Sequence, residues 1–215
     1  MPSFTEIISR FSLVAGREAA IGMIITAGLL LIARDWRLAV GAVTAQYVLA
    51  VVLFAQVIPP QVAGVKLLIG LMSCLILFLS ATQADARRRE IGGEAASLLQ
   101  MRGTTLPTGL PFRAIAAVIV GLSALAVGGR PESALPEVSA DVTLAVFGLS
   151  GMSVLVLALT EAPLEIGLGL LTLLTGFELF YHAVEPSLAA IALLAMAHFG
   201  IAVVTGYLAI LSAGR

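Results

Sequence analysis

The chain consists of long apolar runs separated by short polar breaks. Each run approaches the roughly 20 apolar residues that an α-helix needs to cross about 30 Å of hydrocarbon. Short connections such as Pro59-Pro60 predict that successive helices are antiparallel neighbours. We therefore predict an all-α polytopic membrane protein with about seven transmembrane helices, at Ala19–Ala33, Leu38–Ile58, Val62–Ala81, Ala114–Gly129, Val142–Leu159, Leu164–Val184 and Leu188–Ser212.

The first run is the shortest and follows Arg17-Glu18, so a cleaved signal sequence is an alternative for it. No small-residue cleavage site with a polar continuation follows, because Arg34-Asp35-Trp36-Arg37 leads directly into the second run. We therefore keep it as a span.

One long polar stretch, Thr82–Arg113, interrupts the apolar pattern. It predicts a first membrane unit at residues 1–82, a cytoplasmic linker at 83–113, and a second membrane unit at 114–215 that contains the fourth span and spans five to seven. A short surface helix is expected over Glu90–Met101. A solvated connector is the simpler interpretation of the linker, and docking to a cytoplasmic partner is the alternative.

Composition supports a bilayer environment and excludes several chemistries. The chain is 60% hydrophobic and 12% charged, against about 45–50% and about 25% in soluble domains. Its net charge of -1 gives no basic face for nucleic acid. A single cysteine, Cys74, excludes a disulfide framework, a thiolate zinc site and a cysteine-ligated iron–sulfur cluster within the chain.

Arginine placement predicts the orientation, because basic loops remain cytoplasmic. With seven spans, one side of the membrane collects Arg34, Arg37, Arg87, Arg88, Arg89, Arg102, Arg113 and Arg215, and the other collects Arg10, Arg17 and Arg130. The N-terminus is therefore expected outside and the C-terminus in the cytoplasm.

Ionisable residues inside spans indicate function, because each costs roughly 2.5–3.5 kcal/mol at a helix centre. Lys66 is the only lysine among 12 basic residues. A desolvated lysine can release its proton, which arginine effectively cannot do, so Lys66 is a candidate for proton transfer. Its position near the outer end of span three also allows an alternative in which the side chain reaches the membrane surface.

The second half supplies further candidates. Glu178 and His182 in span six are spaced i, i+4 and can share a proton on one helix face, or simply anchor the helix at the interface. His198 lies in the middle of span seven. It is either a proton relay or a neutral histidine that is hydrogen-bonded to a backbone carbonyl. Gln46 in span two adds a polar group to the first half. Haem ligation by His182 and His198 is disfavoured because their expected depths differ.

The two halves also share a layout. An offset of 126 residues places Arg34–Gly41 over Thr160–Gly167, and each half then has three helices joined by a short cytoplasmic turn and a short outer turn. Because the fourth span separates them, the two three-helix units have the same orientation and are parallel repeats.

At these residues the chain resembles a known family. The segment Trp36-Arg37-Leu38 with Gly41 and Gln46, the third-span Lys66, and Ile201-Ala202-Val203 resemble the hydrogenase-4 component E family. That family comprises membrane subunits of complex I-like group 4 hydrogenases such as formate hydrogenlyase. Each three-helix unit is similar to the small K-type subunit of respiratory complex I.

The resemblance implies a non-catalytic subunit of a proton- or sodium-translocating membrane arm, in a bacterial or archaeal cytoplasmic membrane. It implies antiporter-like and arm-bridging membrane subunits as partners, with NiFe, iron–sulfur or other redox centres only on partner subunits and no cofactor in this chain. Lys66 matches the family's third-span lysine. The family's penultimate-helix acid falls one or two turns nearer the cytoplasm than Glu178, and His198 replaces its last-helix acid.

Two other classes of function remain open from the sequence. One is a subunit of a multisubunit cation/proton antiporter or a free-standing secondary transporter, which parallel repeats and charges within spans also suggest. The other is a purely structural scaffold between larger membrane subunits, in which none of the ionisable residues takes part in translocation.

Overall fold

The computed structural model describes residues 4–33, 35–91, 109–128, 138–185 and 187–214. These residues form seven α-helices and no strand. In chain order the helices are α1 (Phe4–Ile32), α2 (Trp36–Val57), α3 (Pro60–Ile91), α4 (Leu110–Gly128), α5 (Ala140–Leu159), α6 (Pro163–Val184) and α7 (Leu188–Ser212). The all-α fold class predicted from the apolar runs is confirmed.

Six of these helices, α2 to α7, are long and apolar enough to cross a membrane within the part of the chain that is described. The remaining predicted span, Ala19–Ala33, is the second half of α1 and is not among the six. Its Ala20, Met23 and Ala27 are fully buried, and α1 packs against α2, α4 and α5. The protein is therefore an integral membrane protein whose first helix contributes to the interior of the bundle.

Local signals in the sequence explain where several helices begin. The side chain of Asp35 accepts a hydrogen bond from the backbone N–H of Arg37 at the start of α2. Ser139 does the same for Val142 at the start of α5. Proline occupies the first position of α3 and α6, where its missing N–H would have no helical partner.

α3 continues beyond the expected end of its span. The helix runs to Ile91, past the domain boundary that we placed at residue 82, and Asp85 and Arg89 form an exposed i, i+4 ion pair on the extension. A polar sequence of good helix formers has no reason to unwind on leaving the membrane, which the apolar pattern alone could not indicate. Residues 92–108 of the linker, with almost all of the helix expected over Glu90–Met101, lie outside the described residues.

The packing follows the predicted repeat. Within the first unit α1 packs on α2 and α2 on α3, and within the second α5 packs on α6 and α6 on α7. Each helix of one unit also contacts its counterpart in the other, α1 with α5, α2 with α6 and α3 with α7. The helix α4 packs on α1 and α5. The two units therefore form one bundle with α2 and α6 at its centre.

The bundle is apolar inside and outside. Large side chains such as Met23, Leu53, Leu149 and Leu171 are fully buried. The outward faces of α4 and α7 are also apolar, with Ile115, Val118, Leu122, Leu193 and Met196 all at least 60% exposed. Such a surface is stable against lipid tails or apolar protein neighbours, and not against water.

Candidate functional site: a buried charged cluster between the two halves

Lys66 and Glu178 form an ion pair in the interior of the bundle. The ammonium Nζ of Lys66 lies 2.5 Å from Oε1 of Glu178, and the two side chains are only 4% and 2% exposed. Lys66 comes from α3 in the first unit and Glu178 from α6 in the second; both helices pack against α2 and α7. The lysine side chain therefore points into the protein and does not extend to the membrane surface.

The sequence explains why these two residues meet. Lys66 is six residues after the start of α3, and Glu178 is six residues before the end of α6. At about 1.5 Å per residue, each lies about 9 Å from the same end of the bundle, the end that carries the α2–α3 and α6–α7 connections. We call this the outer end, because the arginine distribution predicts that it faces outside.

His198 of α7 is the third member of the cluster. Its Nδ1 lies 3.1 Å from the backbone oxygen of Leu194 and 3.4 Å from Oε1 of Glu178. Two acceptors face the same nitrogen, so we assign the hydrogen of the neutral ring to Nδ1, where it is donated to Leu194. The buried Nε2 makes no hydrogen bond within the described residues. The same Glu178 oxygen thus faces a cation and a titratable ring.

His182 lies one helical turn closer to the outer end than Glu178. Its side chain is buried, and neither ring nitrogen has a hydrogen-bond partner of good geometry among the described residues. The ring of Phe54 from α2 packs edge-on against it with centroids 6.1 Å apart, and Tyr181 packs on it at 6.0 Å. The aromatic rings thus surround an imidazole whose hydrogen-bonding capacity is unused.

Gln46 of α2 is fully buried, and neither atom of its amide group is hydrogen-bonded in the described part of the chain. The structure does not join it to the Lys66 pair through any hydrogen bond. Its neighbour Tyr47 is closer to the cluster, with its ring 5.9 Å from that of His198. Tyr47 packs on Gly70 of α3, one turn after Lys66, where an added Cβ would collide with the tyrosine ring.

Of the five predicted residues, the structure joins Lys66, Glu178 and His198 and places His182 next to them. Sequence reasoning missed Tyr47, and it treated Lys66 and Glu178 as separate groups. Their equal distance from the outer helix ends is a signal that could have found the pair. Glu165 stays apart, in the first turn of α6, where an acid is favoured by the helix dipole.

The described residues contain no group of three or more His, Cys, Asp or Glu side chains that could hold a metal ion. What the cluster can do chemically is hold and exchange protons. One oxygen of Glu178 faces both an amine and an imidazole, in an interior where charge interactions are much stronger than in water.

Fold and site together define an all-α polytopic membrane protein with a buried, titratable ion pair between two similar three-helix units. Comparison of the chain with protein-family models, with curated proteins and with solved structures finds no match.

Proposed function

We propose that this chain is a non-catalytic membrane-arm subunit of a complex I-like or group 4 hydrogenase-type oxidoreductase complex, in which the Lys66–Glu178 pair couples charge movement to proton or sodium translocation. The observation that carries the proposal is the buried ion pair itself, with Nζ and Oε1 2.5 Å apart. Charged residues within membrane spans are expensive, and they mark ion or proton pathways more often than they stabilise a fold.

In the proposed mechanism, one proton lies either on Lys66 or on Glu178. In one arrangement Lys66 is an ammonium and Glu178 a carboxylate; in the other the proton has moved to Glu178, leaving an amine and a carboxylic acid. A charge that changes in a neighbouring subunit favours one arrangement over the other, because buried charges interact over long distances. His198, 3.4 Å from the same oxygen, offers a second proton site when the pair opens.

The test is a pair of variants that keep the bundle intact. Lys66→Arg keeps the positive charge but cannot release it at physiological pH. The double variant K66M/E178L removes both charges and leaves none unpaired. In the native assembly reconstituted into liposomes, both variants should keep electron transfer and lose most of the coupled proton uptake, measured with a pH-sensitive dye.

Asp85→Asn is the matched control, because it removes an exposed charge from the same helix. It should leave coupling unchanged. Wild-type coupling in both K66R and K66M/E178L would remove the pair from the mechanism and favour the structural-scaffold alternative.

A transporter is the second candidate, and the packing of each helix on its counterpart favours it, since many secondary transporters are built from two related halves. Purification distinguishes the two. A subunit of a redox complex should leave the membrane with stoichiometric heterologous partners, whereas a free-standing transporter should exchange cations when reconstituted alone.

A further inference from the structure

We propose that the Lys66–Glu178 pair exchanges protons with the aqueous phase at the outer end, and that His182 is the residue through which it does so. The inference rests on the proposed function in treating the pair as proton-exchanging. It adds the side of access and the residue that controls it.

The depth of the pair gives the first argument. Lys66 and Glu178 lie about 9 Å from the outer helix ends, whereas Glu178 is fifteen residues, about 22 Å, from the beginning of α6 at the opposite end. A side chain that moves by one rotamer covers a large part of the shorter distance and a small part of the longer one.

His182 lies on the shorter route. It is 1% exposed and follows Glu178 by one turn on the same helix face, with Glu185 exposed at the helix end beyond it. A buried polar group without a hydrogen bond costs about 1–3 kcal/mol, so the unpaired imidazole requires an explanation. The explanation that we infer is a second orientation of the ring, in which it binds water or Glu178. In the orientation of this structure, Phe54 packs over the ring.

Polar side chains also surround the outer end. The hydroxyl of Ser139, at the start of α5, donates to the side-chain oxygen of Gln56, at the end of α2. Asp141 lies beside them, because a Cβ added to Gly16 would meet both the Gln56 amide and the Asp141 carboxylate. The outer end of the bundle therefore carries polar groups on α2 and α5 as well as on α6.

The longer route toward the opposite end is packed mainly with apolar side chains. Hydroxyl groups on it already donate to carbonyls of their own helices, as Thr172 does to Leu168 and Thr175 to Leu171. Fully or almost fully buried apolar side chains fill the space between them, namely Leu77, Leu149, Val156, Leu168 and Leu171. Gln46, Tyr47 and Ser73 also lie on this side of the pair, and their buried polar atoms make no hydrogen bond within the described residues, so no hydrogen-bonded chain of these groups joins the pair to the opposite end.

Thiol labelling in sealed vesicles tests the side of access without measuring transport. The variant K66C is made together with E178Q, so that no unpaired charge stays buried, in right-side-out and inverted vesicles containing the full chain. Glu185→Cys marks the face to which the outer end belongs. A small membrane-impermeant methanethiosulfonate should label the cysteine at position 66 at least about tenfold faster from the face that labels E185C.

The native Cys74 is an internal control, because it is buried two turns deeper on the same helix. It should stay unlabelled from both faces, and it is replaced by alanine where position 66 is quantified. Adding His182→Phe should slow labelling at position 66 by about tenfold. Adding Thr172→Val, which changes a polar residue on the longer route instead, should change it less than twofold.

Equal labelling from both faces, faster labelling from the opposite face, or an unchanged rate with H182F would overturn the inference. His182→Gln, which keeps a polar side chain and should label at an intermediate rate, replaces H182F if the phenylalanine variant does not fold. The two proposals fail separately. Outer labelling with normal coupling in both K66R and K66M/E178L would refute the coupling function alone, and labelling from the opposite face with both variants uncoupled would refute only the side of access.

Discussion

The helices α2 and α6 occupy equivalent places in the two three-helix units but differ in chemistry. Both are half-buried, lie at the centre of the bundle, and pack against each other. α6 carries Glu178 and His182, whereas the repeat offset places Val52 and Gln56 at the corresponding positions of α2. At equivalent positions, therefore, α6 carries an acid and a histidine, whereas α2 carries an aliphatic residue and an amide.

In the pair α3 and α7, it is the helix of the first unit that carries the charged residue. Lys66 lies in the first two turns of α3, while the corresponding part of α7, Leu188–Met196, contains no charged residue. The two units together thus form one ion pair across their boundary instead of two symmetric ones. The repeat explains the arrangement of the helices but not the ion pair. Each buried charge costs roughly 2.5–3.5 kcal/mol, so the pair must be explained by its function or by the helices that it holds together.

The largest expected effect comes from breaking this pair on one side only. Lys66→Met leaves Glu178 buried without its cation and should destabilise the bundle by about 3–5 kcal/mol. K66M/E178L should recover most of that loss, because replacing both members of a buried pair by apolar residues is often neutral. Unfolding by SDS titration in mixed micelles measures both. A single variant as stable as the double one would mean that the charge of Glu178 is not buried against Lys66 in the membrane.

A smaller effect is expected where α3 packs against α2 at a glycine. Gly70→Ala on α3 places a methyl group against the ring of Tyr47 on α2, and such overpacking costs about 1–3 kcal/mol. Gly64→Ala, nearly two turns earlier on α3, meets nothing within 4 Å, so it should not lower stability and should gain up to about 1 kcal/mol from the better helix propensity of alanine. The same unfolding titration compares the two. Equal losses would contradict the close approach.

The order and approximate length of the helices were largely predictable from the sequence. The thickness of the membrane sets the length of each apolar run, and it is the same for every span. The bounds predicted for the last span, Leu188–Ser212, agree with those of α7. The helix α3 continues ten residues beyond the predicted end of its span at Ala81, because lipid determines where apolar residues must stop and does not determine where a helix must stop.

The candidate site was predictable only in part. A charged residue within an apolar run is visible in the sequence, which is why Lys66 and Glu178 could be selected. Their pairing depends on which faces of α3 and α6 turn toward each other, and apolar residues on all sides of both helices leave that rotation undetermined. Tyr47 was missed for a related reason, since the sequence does not indicate that α2 turns this ring toward His198 of α7.

The second unit provides its own test of close packing. Gly167→Ala on α6 places a methyl group against the side chain of Thr205 on α7. We expect a loss of about 1–3 kcal/mol, comparable to that of G70A, because the atoms in the way include the Cβ of Thr205, which is fixed to the backbone of α7 and cannot rotate aside. Gly200→Ala on α7, where nothing lies within 4 Å, is the control. A loss larger than that of G70A would show that the second unit is packed more tightly than the first.

The smallest expected effect concerns the other ion pair of α3. Arg89 and Asp85 are 3.0 Å apart on the exposed extension, and the side chain of Arg89 is 76% exposed. Solvated i, i+4 pairs contribute about 0.3–0.5 kcal/mol, so Asp85→Asn should lower stability by no more than this amount, and less at high salt. The same helix thus carries one ion pair whose disruption should strongly destabilise the bundle and one whose disruption should be almost undetectable. The SDS titration of D85N beside K66M measures that ratio directly, and a loss in D85N comparable to that in K66M would mean that the extension is buried against another chain.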